Sequence, residues 1–171
     1  MALASKVIAG VEWRQTSALD LSTVYDSASL SYAVDIATGT AINTADYIWH
    51  DRRSVTTGAN DDIDLTSSTT RSIFGTSVPQ VFARVKAIII KNNATATGEE
   101  LQIDSSVAAS FLGWCVASTT AKAQIGPNSM LVLSNLCDGW AVTATTADII
   151  RITNTGATTI SYDIIIIGTS A

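Results

Sequence analysis

The C-terminal stretch Ile160–Ile167, reading ISYDIIII, limits the fold of this chain more than any other segment. Along an extended backbone Ile160, Tyr162, Ile164 and Ile166 fall on one face, and Ser161, Asp163, Ile165 and Ile167 on the other. β-Branched residues at this density favour pleated backbone, and alternation with a period of two marks a strand with two distinct faces. The second half of the stretch is apolar on both sides. That predicts a central strand covered on both faces, by a second sheet or by a neighbouring subunit.

The same period recurs upstream. Across Gln80–Asn92 the residues Val81, Ala83, Val85, Ala87 and Ile89 share one face, with Phe82, Arg84 and Lys86 on the other. Further strands are expected at Leu101–Ile103, Phe111–Val116, Ala121–Ile125, Met130–Leu133 and Asp148–Thr153. The sequences between them have turn chemistry: Gly126-Pro127-Asn128, Cys137-Asp138-Gly139 and Asn154-Thr155-Gly156. Short strands at this spacing predict an all-β antiparallel sandwich or barrel over residues 46–171. Before it, residues 1–45 read as an irregular, partly extended N-terminal arm. Within the arm, Val7–Trp13 suits a strand, and Leu30, Tyr32, Val34 and Ile36 share a face, whereas Leu19–Tyr25 could open a short helix. Asp46–Ser54 and Asp62–Thr66 supply two more short strands. A brief echo, Thr44-Ala-Asp46 against Thr146-Ala-Asp148, puts an aspartate at two strand entrances, where it can cap a turn.

Composition narrows the function. The 171 residues are 47% apolar and only 15% charged, and Ser and Thr supply roughly a quarter of them. Ordinary soluble domains carry about 25% charged residues, so part of this surface is expected to be hidden, most simply between subunits. A net charge of −5 with scattered basic residues argues against a nucleic-acid backbone as partner. The longest aliphatic run, Ile164–Ile167, is far short of the ~20 residues of a spanning helix, so no membrane partner is expected. The N-terminus has no hydrophobic run of the length a secretory signal needs.

Candidate chemistry is sparse, and neither an enzyme nor a cofactor or metal is expected. His50 is the only histidine, in Trp49-His50-Asp51-Arg52-Arg53, so any triad must use it, and no nucleophile motif accompanies it. Asp61-Asp62-x-Asp64 could offer hard oxygen ligands to calcium, but a turn that binds its own backbone suits the spacing better. Glu99-Glu100 reads as a solvated turn, and Asn93-Ala-Thr95 is a short chance match to a glycosylation acceptor. Cys115 and Cys137 read as buried free thiols, with a disulfide within or between subunits as the alternative. The tryptophans Trp13, Trp49, Trp114 and Trp140 suit core or interface packing better than a sugar-stacking platform. Trp13, Trp49, Ile165 and Ile167 are the candidate interface residues.

Three stretches carry a resemblance: His50–Leu65 (HDRRSVTTGANDDIDL), Val85–Asn92 (VKAIIIKN) and Gly139–Gly156 (GWAVTATTADIIRITNTG) running on to Tyr162–Gly168. Together they resemble small virion-associated proteins of tailed bacteriophages over roughly residues 45–168. The resemblance implies a jelly-roll-like sandwich carried in many copies on the virion, on the capsid surface in preference to the tail. It implies a decoration or cement protein that contacts the major capsid protein and forms a homo-oligomer, a trimer for preference. A tail- or fibre-associated module that binds a host glycan is the alternative. The two cysteines lie outside the shared pattern.

Overall fold

The computed structural model describes residues 3–67, 69–73, 76–115 and 120–171. Those residues contain strands and turns and no helix. The strands in chain order are β1 (Ser5–Ala18), β2 (Thr23–Thr38), β3 (Thr44–Ala45), β4 (Tyr47–Val55), β5 (Asn60–Asp64), β6 (Thr70–Ile73) and β7 (Thr76–Pro79), then β8 (Arg84–Asn92), β9 (Leu101–Asp104), β10 (Lys122–Ile125), β11 (Met130–Ser134), β12 (Trp140–Ala141), β13 (Ile149–Asn154) and β14 (Ile160–Thr169). Two antiparallel sheets form the body. One runs β11-β8-β14-β4 with β12 also on β8, and the other runs β10-β9-β13-β5. The antiparallel sandwich expected from the alternation is present.

Strand β14 is central, as its two-sided apolar pattern requires. It pairs with β8 on one side and β4 on the other. Its inner face, Ile160, Tyr162, Ile164 and Ile166, is buried in the core with Ile88 and Ile90 of β8, against Ile63, Leu101, Ile103, Ile150 and Ile152 of the opposite sheet. Burial of each such side chain contributes about 1.5–3 kcal/mol. The outer face of the same strand is closed in part by the chain itself. Ile167 and Ala87 pack with Val7, Ile36 and Ala45 in a second, smaller cluster.

Several sequence expectations change. Within residues 1–45 the extended part is longer and more regular than expected: β1 and β2 pair through fourteen residues each, from Ser5–Ile36 to Ala18–Thr23. The Leu19–Tyr25 helix start is instead a four-residue loop followed by strand. There the Leu19 N–H donates to the Ser22 carbonyl at 2.7 Å and the Ser22 N–H donates back at 3.3 Å. Across Gln80–Asn92 the expected faces are kept only in part: Val85 and Ala87 are buried as expected, but Phe82 and Lys86 are buried too and Val81 is exposed. The strand begins only at Arg84, and a register shift at Ile167/Gly168 skips Lys86, so that Val85, Ile88 and Ile90 are the residues of this strand in the main core. Lys86 is tolerated because its ammonium donates to the Cys137 carbonyl. Finally, 111–115 form a turn with Phe111 in the core, and Val116 lies outside the described residues.

Two buried asparagines fasten the loops at one end of the body. Asn154 donates to the Val55 carbonyl at 2.9 Å and to the Thr158 carbonyl at 2.7 Å, while its oxygen accepts from the Gly156 N–H at 2.8 Å. Asn92 donates to the carbonyls of Glu99 (2.8 Å) and Ile125 (3.0 Å). Glu99, expected in a solvated turn, is buried here and accepts from the Thr158 N–H at 3.1 Å. Alanine at 154 strands two carbonyls and an N–H without water. We expect Asn154→Ala to cost about 2–3 kcal/mol in urea denaturation at unchanged m-value; a loss below ~1 kcal/mol contradicts this bonding scheme.

Candidate functional site

The most distinctive surface is the β1–β2 ribbon. In an antiparallel pair, residues directly opposite each other lie on the same face. One face therefore holds the pairs Val7–Val34, Ala9–Tyr32, Val11–Leu30 and Trp13–Ala28, followed by Gln15–Asp26 and Ser17–Val24 toward the tip. The other face holds Lys6–Asp35, Gly10–Ser31, Glu12–Ser29, Arg14–Ser27 and Thr16–Tyr25, with Ile8–Ala33 its one apolar pair. The ribbon is amphipathic along most of its length. Its polar face is tied by a 3.0 Å Lys6–Asp35 ion pair and by Arg14 lying 4.4 Å from the centre of the Tyr25 ring.

Only the root of the apolar face is covered. Val7 and Ile36 are buried against Ala87 and Ile167, whereas Val11, Leu30, Val34 and Tyr32, the last 67% exposed, face solvent. Trp13 is also exposed, and its indole N–H donates to Asp26 at 3.4 Å. At the tip, Leu19 and Leu21 are bare. The exposed face continues onto the outer surface of the body. Beside the covered Ile48–Ile167–Ala87 row lies the row His50–Ile165–Ile89–Val132, whose isoleucines are half-buried and whose valine is exposed. Beyond it the surface turns polar, with Arg52 gripping Asp163 through contacts of 2.6 and 3.0 Å.

The candidate interface residues divide. Trp13 stands on the open ribbon face, and Ile165 lies in the half-open row. Trp49 is only 3% exposed and belongs to the chain's own core, and Ile167 is buried under the ribbon root. Strand alternation places Trp49 inward opposite Ile166, so it cannot also face a neighbour. The four tryptophans form no platform. Trp140 meets Phe111 edge-on at a ring separation of 6.4 Å, and the Trp114 indole donates to the Phe111 carbonyl at 2.9 Å.

His50 apart, the titratable candidates are held by structural partners. His50 is exposed on the outer face of β4, opposite Ile165. Asp61 points into the sandwich, where Arg53 donates two hydrogen bonds to it (2.6 and 2.7 Å) and the Tyr162 hydroxyl a third (2.7 Å). Burial alone would raise the Asp61 carboxyl, but these donors hold it below the usual aspartate value. Asp62 faces outward to Arg151 through two 2.7 Å bonds. Asp64 accepts from the Thr66 N–H at 2.7 Å and the Ser67 N–H at 3.1 Å, as the turn reading of this motif expects. The three carboxylates thus serve three separate tasks. Among the described residues no group of three or more His, Cys, Asp or Glu side chains is placed to hold a metal ion.

Cys115 and Cys137 are both free. Cys115 is half-buried, which pushes its thiol up, and Cys137 is exposed, so neither is the fully buried thiol expected from its apolar flanks. Of the two aspartates in the echoed motif, Asp148 accepts from the Thr145 N–H at 2.6 Å, closing a turn. Asp46 instead secures the C-terminus through the Ser170 N–H at 2.8 Å. Compared with known proteins, the chain matches no family model, no curated protein and no solved structure.

Proposed function

We propose that this chain is a bacteriophage virion structural protein without catalytic activity, a capsid decoration or cement protein that stabilises the shell through contacts with the major capsid protein. The observation that carries the reading is the apolar ribbon face. A two-stranded ribbon is marginal in water on its own, and fourteen paired residues extend it by roughly 45 Å. A ribbon of that length with an uncovered apolar face is built to be finished by another protein surface. The low charge fraction and the resemblance of residues 45–168 to virion-associated proteins agree with such a role, and the jelly-roll winding belongs to the same reading. A cement protein works by burying surface between neighbours, so it needs no titratable machinery.

The test is direct. Purified protein is expected to co-sediment with empty shells and to raise the temperature at which they rupture. Shells that neither bind the protein nor gain heat resistance would refute the proposal. Of the four tryptophans only Trp13 is exposed, and the other three are engaged in the body. The glycan-binding alternative therefore has no assembled platform to favour it.

A further inference from the structure

We propose that the cavity beside the ribbon root is a binding site for a single carboxylate group. The cavity, about 510 Å³, is lined by Thr40, Ala41 and Ile42 of the loop between β2 and β3, by Arg84 and Lys86 of β8, and by Asp138 of the turn before β12. It is independent of the ribbon's apolar face and of the shell reading. Charge is what singles it out. In a chain of net charge −5, Lys6, Arg52, Arg53, Lys122 and Arg151 all stand in ion pairs. Arg84 and Lys86 share one cavity, and among the described residues neither forms an ion pair.

Lys86 is the anchor. It is only 1% exposed, and its ammonium donates to the Cys137 carbonyl. That carbonyl also accepts the Asn43 N–H at 3.0 Å, so both of its lone pairs are taken. An ammonium carries three N–H groups, and the other two have no acceptor among the described residues. A buried cation with one neutral partner is costly until an opposite charge matches it. The turn is shaped to hold the lysine there. At Gly139, where φ is +72°, a Cβ would lie 3.0 Å from Lys86 Cδ, so glycine lets the chain close on the side chain. Arg84 uses one Nη1 bond of 3.3 Å on the Asp138 carbonyl and leaves the rest of its guanidinium fork open. Burial and then Arg84 lower the Lys86 ammonium, and Asp138 opposes them, as two cations and one carboxylate around one space should. Their sum is one net positive charge, which suits a monoanion. A planar arginine fork beside a point-like ammonium matches the two oxygens of a carboxylate. Ala41 and Ile42 give the carbon that bears it an apolar wall.

Nuclear magnetic resonance titration of the isotope-labelled full chain with sodium butyrate, at an ionic strength fixed by sodium chloride, tests the site. Saturating amide shifts are expected at Asn43, Cys137 and Gly139, with half-saturation in the millimolar range. Arg84→Gln is expected to weaken binding about tenfold, and Lys86→Met at least as much. Should Lys86→Met fail to fold, Arg84→Gln decides alone. Asp138→Asn removes the competing carboxylate and is expected to tighten binding several-fold. N-acetylglutamic acid α-amide presents the same group as an acidic side chain. Tighter binding than butyrate assigns the site to a partner's acidic side chain and weaker binding to a free acid; either upholds the carboxylate. Shifts that never saturate, that ignore Arg84→Gln, or that sodium chloride or inorganic phosphate reproduces equally well would overturn the proposal.

Discussion

Asp61→Ala is expected to lower the free energy of unfolding by about 3 kcal/mol. The carboxylate is contributed by β5 of one sheet, while Arg53 and Tyr162 come from β4 and β14 of the other, so one side chain clasps the two layers. Removing it leaves a partly buried guanidinium and an inward phenol unmatched. Arg53 retains a 3.3 Å contact with Asp51, which keeps the loss at the lower end of the 3–5 kcal/mol typical of breaking such a pair. Replacing both charges, as Arg53→Met with Asp61→Leu, is expected to restore most of the stability, because the desolvation penalty leaves with them. Urea denaturation of the single and double variants checks this. A single variant within ~0.5 kcal/mol of wild type would show that the clasp adds nothing.

Hydrogen-bonded carboxylates, Asp61 among them, and the Tyr162 phenol give the protein two pH limits. Asp61, Asp64, Asp104 and Asp163 are all held below the ordinary aspartate value; burial opposes this for the first three, and for Asp163 the hydrogen bond from Arg52 leads. In acid the unfolded chain takes up protons first, so the stability these groups contribute is present above pH ~4 and drains away as pH falls through their folded values. Tyr162 lies on the opposite side. Burial, then its bond to Asp61, raises its phenol, so its contribution is intact below pH ~10 and is lost as pH climbs toward the folded value. Denaturation midpoints are expected to be flat from about pH 5 to 9 and to fall at both ends. Tyr162→Phe is expected to flatten the alkaline fall alone, and an unchanged alkaline arm in that variant would disprove the assignment.

The sandwich was legible because its strands alternate and its turns carry Gly, Asn and Pro. The ribbon was only half legible. Val7–Trp13 and Leu30–Ile36 each showed the period of two, but nothing local says that they pair. The loop that joins them, Leu19-Asp-Leu-Ser22, lacks the Asn-Gly or Asp-Gly signature of a tight hairpin and resembles a helix start. Face assignment failed where tertiary placement overrides pattern. Lys86 looks like a solvent residue by type, yet it is buried because a carbonyl from the Cys137 turn reaches its ammonium. Trp49 and Ile167 were legible as apolar strand residues, but whether a neighbour or the chain itself covers them depends on the path of the first forty residues. Asp61 illustrates the same limit: the sequence shows three clustered carboxylates, and only the sheet pairing sends one inward and two outward.

Ile164→Ala is expected to carry a cost of about 3–4 kcal/mol. Ile164 is fully buried at the middle of β14, where its Cα is paired with Ile90 on one side and Asp51 on the other. The lost transfer energy and the cavity left between two sheets add, and neighbouring isoleucines fixed in strand rotamers have little freedom to refill it. Ile8→Ala makes the matching control, since Ile8 is 58% exposed on the polar side of the ribbon and its truncation is expected to stay within ~0.5 kcal/mol. Guanidinium denaturation of both, followed by near-ultraviolet dichroism, separates core from ribbon. Equal costs at the two sites would mean that the ribbon and the body share one core. The covered root at Val7 and Ile36 argues for a narrower link, in which the body folds on its own interior and the rest of the ribbon extends from it.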